Sequence, residues 1–178
     1  MPKNKNVRDV GSLRDMVTCA LLVALSIVCG KFLQIPVGEM LRFSFENLPI
    51  LLAGMMFGPL AGMFVGIAAD LIGCIAVGYV INPLITCGAA AIGLFGGVVY
   101  RLTGNVSLLW RVVLSVVTAH LIGSVVIKTF GLSQFYDMPF FLLMLWRLLN
   151  YLLVGAAETL LLFALMKNKA LQSMMRGR

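Results

Sequence analysis

From Phe140 to Met166 the chain runs through apolar side chains, with only Arg147 and Glu158 able to carry charge. A helix needs about 20 such residues to cross the hydrocarbon core of a bilayer. Similar runs recur along the rest of the chain. Of its 178 residues, 61% are apolar and 12% are charged. A soluble domain carries about 45–50% apolar and about 25% charged residues, and one of this size has too little interior to hide the surplus. A soluble enzyme, a secreted disulfide scaffold, a disordered tail and a nucleic-acid-binding domain are therefore excluded. The expected class is an all-α polytopic membrane protein surrounded by a lipid bilayer.

We place six spans in one integral membrane domain over residues 1–178, at about 15–33, 48–57, 59–78, 83–102, 108–130 and 140–166. Turn chemistry separates them: Ile35-Pro36-Val37-Gly38, Phe57-Gly58-Pro59, Asn82-Pro83, Thr103-Gly104-Asn105 and Ser133 to Pro139. The second span is too short to cross alone, and it joins the third around Gly58-Pro59, where proline stops a helix. Six spans put both termini on one side, with Lys3, Lys5, Arg8, Arg14, Arg101, Arg111, Lys167, Lys169, Arg176 and Arg178. Only Lys31, Arg42, Lys128 and Arg147 fall on or near the other side, so the basic bias predicts cytoplasmic termini. The longest polar connections, Val37 to Asn47 and Leu132 to Pro139, are then external and are candidate lids. The first run lacks a small-residue cleavage site and reads as a retained helix. Cys19, Cys29, Cys74 and Cys87 fall in apolar runs without a C-x-x-C pair and read as free thiols.

Three features could carry function. Gly54, Gly58, Gly62 and Gly66 recur every four residues, followed by Asp70 and Gly73. Such a stripe lets another backbone approach closely, either inside the bundle or as a sliding surface or flat ligand wall. Ala20 and Ala24 share one face of the first span; they read as internal packing or as a docking face for another membrane subunit. Third, ionisable groups within spans are costly and mark functional sites by default. Arg147, Asn150, Tyr151, Val154 and Glu158 fall on one face of the last span, and His120, Ser124 and Lys128 on one face of the fifth.

At about 1.5 Å rise per residue, Lys31, Tyr79, Asn82, Lys128 and Arg147 lie within roughly 10 Å of the external edge. His120, Asn150 and Asp70 lie deeper. Glu158 lies deeper still, within reach of Arg14 or Thr18. Cations above and hydrogen-bonding groups with a carboxylate below suit a ligand with an anionic end and a polar, N–H-bearing ring. Phe43, Phe45, Tyr79 and Trp146 are among the external aromatics that either form an interfacial belt or stack on such a ring. There is no Walker A motif, H-E-x-x-H, G-x-S-x-G or regular arginine series. A lone histidine with no nucleophile beside it argues against a hydrolase, so no enzyme activity, metal or bound cofactor is expected.

Arg42-Phe43-Ser44-Phe45-Glu46-Asn47-Leu48-Pro49, Ala53-Gly54, Phe57-Gly58-Pro59, Gly62, Gly66, Ala69-Asp70-Leu71-Ile72-Gly73 and Asn82-Pro83 resemble an S component of the energy-coupling-factor (ECF) vitamin transporters. The details are most similar to the folate-specific branch. The motif-bearing part is about a quarter of the chain; size, span count and topology extend the resemblance to nearly all of it.

The resemblance implies a six-helix subunit of a prokaryotic cell membrane that captures a vitamin from outside with high affinity. It implies docking on a shared transmembrane coupling subunit held by two cytoplasmic ATPases, which use the ATP. The alanine motif serves that docking, which assigns it to Ala20 and Ala24. Joined to the depth argument, it places a pterin ring near Asp70, Asn82, His120 and Asn150, and an anionic tail near Lys31, Lys128, Arg147 or Arg42. The alternatives are an S component for a pyrimidine, pantothenate or another small precursor, and an assembly protein that binds no ligand.

Overall fold

A computed structural model describes residues 12–37, 41–169 and 171 of the chain. Helix α1 spans Leu13–Ile27 and widens into a π-helical turn, Val28–Phe32. Strands β1 (Ile35–Val37) and β2 (Leu41–Phe43) follow, then helices α2 (Asn47–Phe57), α3 (Pro59–Val77) and α4 (Pro83–Leu102). The next span has three parts: α5 (Leu108–Ala119), a π-helical segment (His120–Ile127) and α6 (Lys128–Tyr136). Helix α7 (Phe140–Lys167) completes the bundle.

Five helical stretches are long and apolar enough to cross a membrane: Leu13–Phe32, Pro59–Val77, Pro83–Leu102, Leu108–Phe135 and Phe140–Lys167. The molecule is thus a multi-pass membrane protein. The expected second span is the exception. Helix α2 has 11 residues, about 16 Å of rise, roughly half a bilayer core. Every residue in it except Leu48 is buried, as befits a helix apolar on all sides. It fills the bundle centre and does not face lipid. The large exposed side chains, such as Leu21, Phe64, Leu114, Leu152 and Leu160, lie on the long helices around it.

Helices α2 and α3 meet at Gly58, whose φ of 108° is open to glycine, and Pro59 starts α3 where its missing N–H costs nothing. The glycine stripe packs inward. A Cβ on Gly54 would lie 2.5 Å from the Gly93 carbonyl oxygen, and one on Gly62 would lie 2.6 Å from the same atom. The stripe brings the backbones of α2 and α3 onto α4 and presents no free wall.

Two further details emerge. The fifth span continues past Phe130 to Tyr136. The connection after α1 is not wholly irregular: β1 and β2 pair antiparallel, with Ile35 opposite Phe43, Pro36 opposite Arg42 and Val37 opposite Leu41. Ile, Val and Phe suit a pleated pair, and Pro36 is tolerated on a two-stranded edge. Lys3, Lys5, Arg8, Arg176 and Arg178 lie outside the described residues. Cys19, Cys29, Cys74 and Cys87 are all free.

Candidate ligand site

One end of the bundle holds a charged cleft, where the π-helical turn of α1, the start of α2 and helices α3, α4 and α6 converge. Lys31, Glu46, Asp70 and Lys128 line it, with Ser26 and Ile50. Lys128 Nζ donates to Glu46 Oε1 at 2.8 Å. The lysine stem passes over Gly88, where a Cβ would collide with Lys128 Cγ. The Glu46 backbone is anchored separately, its carbonyl accepting from Ser26 Oγ at 2.6 Å. Asp70 Oδ2 accepts from Thr86 Oγ1 at 2.6 Å. Lys31 Nζ sits 5.3 Å from the Tyr79 ring centroid, within cation–π range. Burial pushes the Glu46 carboxyl up, but Lys128 beside it, with the charges of Lys31 and Arg147, outweighs that and holds it below the usual carboxylate range. The free volume is ≈ 10 Å³, about one water's worth.

A second polar cluster follows the π-helical segment inward. His120 Nε2 lies 2.6 Å from Glu158 Oε2, and Nδ1 lies 3.1 Å from Ser124 Oγ. With its proton on Nε2, the imidazole donates to the carboxylate and accepts from the hydroxyl. Tyr151 stacks on His120 with centroids 4.8 Å apart. Arg147 donates from Nε to the Ser124 carbonyl at 3.2 Å and from Nη2 to the Tyr151 hydroxyl at 3.2 Å. Ser124 thus links His120 to Arg147. Glu158 pairs with His120 and not with Arg14 or Thr18; Thr18 Oγ1 donates to the Arg14 carbonyl. Depth explains this. His120 is 12 residues into a span starting at Leu108, and Glu158 is 9 residues from the end of α7 at Lys167, so both sit at about 14–18 Å from the same end.

The sequence-predicted residues therefore divide. Lys31, Asp70 and Lys128 share the charged cleft. His120 and Arg147 share the second cluster, and Asn150 is buried on α7. Asn82 is engaged with backbone: Oδ1 accepts from the Leu84 N–H at the start of α4, and Nδ2 donates to the Gly131 carbonyl. Phe45, Tyr79 and Trp146 are exposed, and Phe43 is half-buried. Arg42 lies in β2; its side chain is outside what is described. Ala20 and Ala24 are both exposed on α1, among Val17, Leu21 and Leu25.

Sequence reasoning left out Glu46, Asn47 and Thr86. Glu46 and Asn47 stand in the Arg42–Asn47 loop, which was legible as a motif. Asn47 is 1% exposed, and neither atom of its side-chain amide has a hydrogen-bond partner among the described residues. Such groups are costly to bury unpaired. A wider groove of ≈ 510 Å³ runs between α7 and the α5–π-helical span. Exposed apolar side chains such as Val117, Leu121, Leu148 and Leu152 line it, so it opens on the lipid-facing perimeter and lacks the cations of the cleft.

Residues 14–172 match the family model described as "ECF transporter, substrate-specific component". A 58-residue stretch is 38% identical to the folate transporter FolT of Clostridium novyi (strain NT), covering 33% of this chain and 33% of that protein. Among solved structures, FolT bound with folic acid superposes with a TM-score of 0.69 at 21% identity, over 85% of this chain and 92% of that one. The S-component for biotin from an ECF-type ABC transporter superposes with a TM-score of 0.67 at 15% identity, over 94% and 95%. These superpositions establish the fold, and the model match covers nearly every helix described above. The chain belongs to the substrate-specific components of ECF transporters.

Proposed function

We propose that this chain captures folate from outside the cell membrane of a prokaryote and delivers it through a shared coupling subunit driven by two ATPases. The observation that carries the reading is the buried cation Lys128 beside Lys31 in a cleft that also holds the Asp70 carboxylate. The similarity of one stretch to a folate transporter supports the ligand. The glutamate tail lies toward Lys31, Lys128, Arg147 and Arg42, where carboxylates gain charge-assisted hydrogen bonds. The pterin ring lies inward, offering N–H groups to Asp70 and to Asn150, with His120, held by Glu158 and Ser124, beside it. Asn82, Phe43, Phe45, Tyr79 and Trp146 border the entrance. The chain binds no cofactor of its own, and its termini are cytoplasmic. The exposed Ala20–Ala24 face of α1 docks on the coupling subunit. The deciding experiment is calorimetric titration of the detergent-purified protein with folic acid, with thiamine and riboflavin as controls. Tight one-to-one folate binding is expected. A response to another vitamin instead would overturn the ligand.

A further inference from the structure

In this cleft the place of an incoming carboxylate is already taken. Lys31 and Lys128 supply two positive charges, and Glu46 and Asp70 supply two negative ones, so the lining is neutral. With only ≈ 10 Å³ free, no further carboxylate reaches Lys128 while Glu46 stays. The seat of Glu46 is shaped for it. Gly30, in the π-helical turn of α1, leaves a gap that a Cβ would fill at 2.8 Å from both Glu46 Cβ and Glu46 Oε2. The two partners differ in freedom: the Lys128 side chain is 6% exposed and that of Glu46 28%. Lysine is enclosed, whereas the glutamate side chain keeps more than a quarter of its surface open. The Ser26 hydrogen bond holds the Glu46 backbone and leaves the side chain to move.

We propose that Glu46 is the resident occupant of the anion-binding half of this cleft, and that a ligand carboxylate binds by displacing it from Lys128. The inference rests on the reading above for the ligand's negative charge, and not on its ring. It makes Glu46 a specificity-determining residue. A neutral ring that expelled Glu46 would leave Lys128 buried without a partner, which is unfavourable; a ligand bringing its own carboxylate restores the pair. Measured affinity is then the intrinsic affinity multiplied by the fraction of molecules in which Glu46 has left its seat.

The test compares wild type with Glu46→Gln, which keeps shape and removes charge, against folic acid and tail-less pterin. Folic acid should bind the variant tighter, by about tenfold if the seated form outnumbers the open one ten to one, with pterin affinity changed by less than about threefold. Unchanged or weaker folic acid binding overturns the proposal and makes Glu46 a positioning residue for Lys128. A second measurement uses the wild type alone. A zero-length carbodiimide cross-link between Glu46 and Lys128, mapped by mass spectrometry, should form without ligand and vanish with a saturating carboxylate vitamin. Folic acid, biotin and pantothenate serve as probes. No cross-link in the free protein, or one that survives saturation, overturns the proposal. Loss of the cross-link with biotin or pantothenate but not folic acid upholds displacement and overturns the folate reading. Tight folate binding with an undisturbed cross-link does the reverse. No binding of any of the three by either form overturns both.

Discussion

His120 Nε2 meets Glu158 Oε2 at 2.6 Å, and this contact ties the π-helical segment of the fifth span to the middle of α7. Both partners are buried, Glu158 completely. Truncating one member of such a pair strands the other. Glu158→Ala should destabilise the protein by about 3–5 kcal/mol. Glu158→Gln, which retains a hydrogen-bonding group, should cost less, about 1–2 kcal/mol. Denaturation in detergent, followed by circular dichroism, checks both; equal stability of Glu158→Ala and wild type would refute the structural role.

The Glu46 carboxyl titrates below its unfolded value because Lys128 faces it. A carboxyl lowered on folding adds stability that is fully present above the unfolded pKa, about 4.3, and is lost as pH falls through the lower folded value. The melting-temperature difference between wild type and Glu46→Gln should therefore be level at neutral pH and shrink under acid conditions. A difference that grows on acidification would reverse the sign and count against the pair.

Among the described residues Asp70 is the carboxylate of the cleft held by a neutral partner, Thr86, and not by a cation. If it receives the ring N–H groups of the ligand, Asp70→Ala should weaken folate binding by about tenfold or more, the scale of a hydrogen bond to a charged group. Calorimetry of the variant decides; retained affinity removes Asp70 from the site.

The Ala20–Ala24 face of α1 is exposed, and neither alanine lines the cleft. Replacing either alanine with leucine should leave ligand affinity unchanged and abolish folate uptake by cells supplying the coupling subunit and ATPases. Loss of binding in the purified variant would instead assign these alanines to internal packing.

The long helices were legible because apolar runs of membrane length admit few alternatives, and Gly58-Pro59 and Asn82-Pro83 marked their joints. Counting rise along three helices set Lys31 and Lys128 near one edge and Asp70 deeper, and did not join them in one cleft. The pairings did not. Glu46 and Lys128 are 82 positions apart and His120 and Glu158 are 38 apart, and no periodicity relates them. Glu46 was legible within the Arg42–Pro49 motif but was not named among the individual site residues, because it lies in a polar connection, where a charge needs no explanation. The ribbon at Ile35–Val37 and Leu41–Phe43 was too short for an alternating pattern. Helix α2 looked like a weak span because composition registers apolarity and not whether lipid or protein surrounds it.

The two π-helical stretches have a consequence for how the cleft tolerates change. One contains Lys31 and the other ends immediately before Lys128. Their wider winding carries more residues per turn than an α-helix, so each lysine's compass bearing is set by the backbone preceding it. Straightening His120–Ile127 into an α-helix with every residue kept would rotate everything beyond by about 100°, one α-helical step. Lys128 would then turn away from Glu46 with every charged residue of the cleft still present in the sequence. The positive pole of this cleft is thus encoded as much by helical phase as by side-chain chemistry.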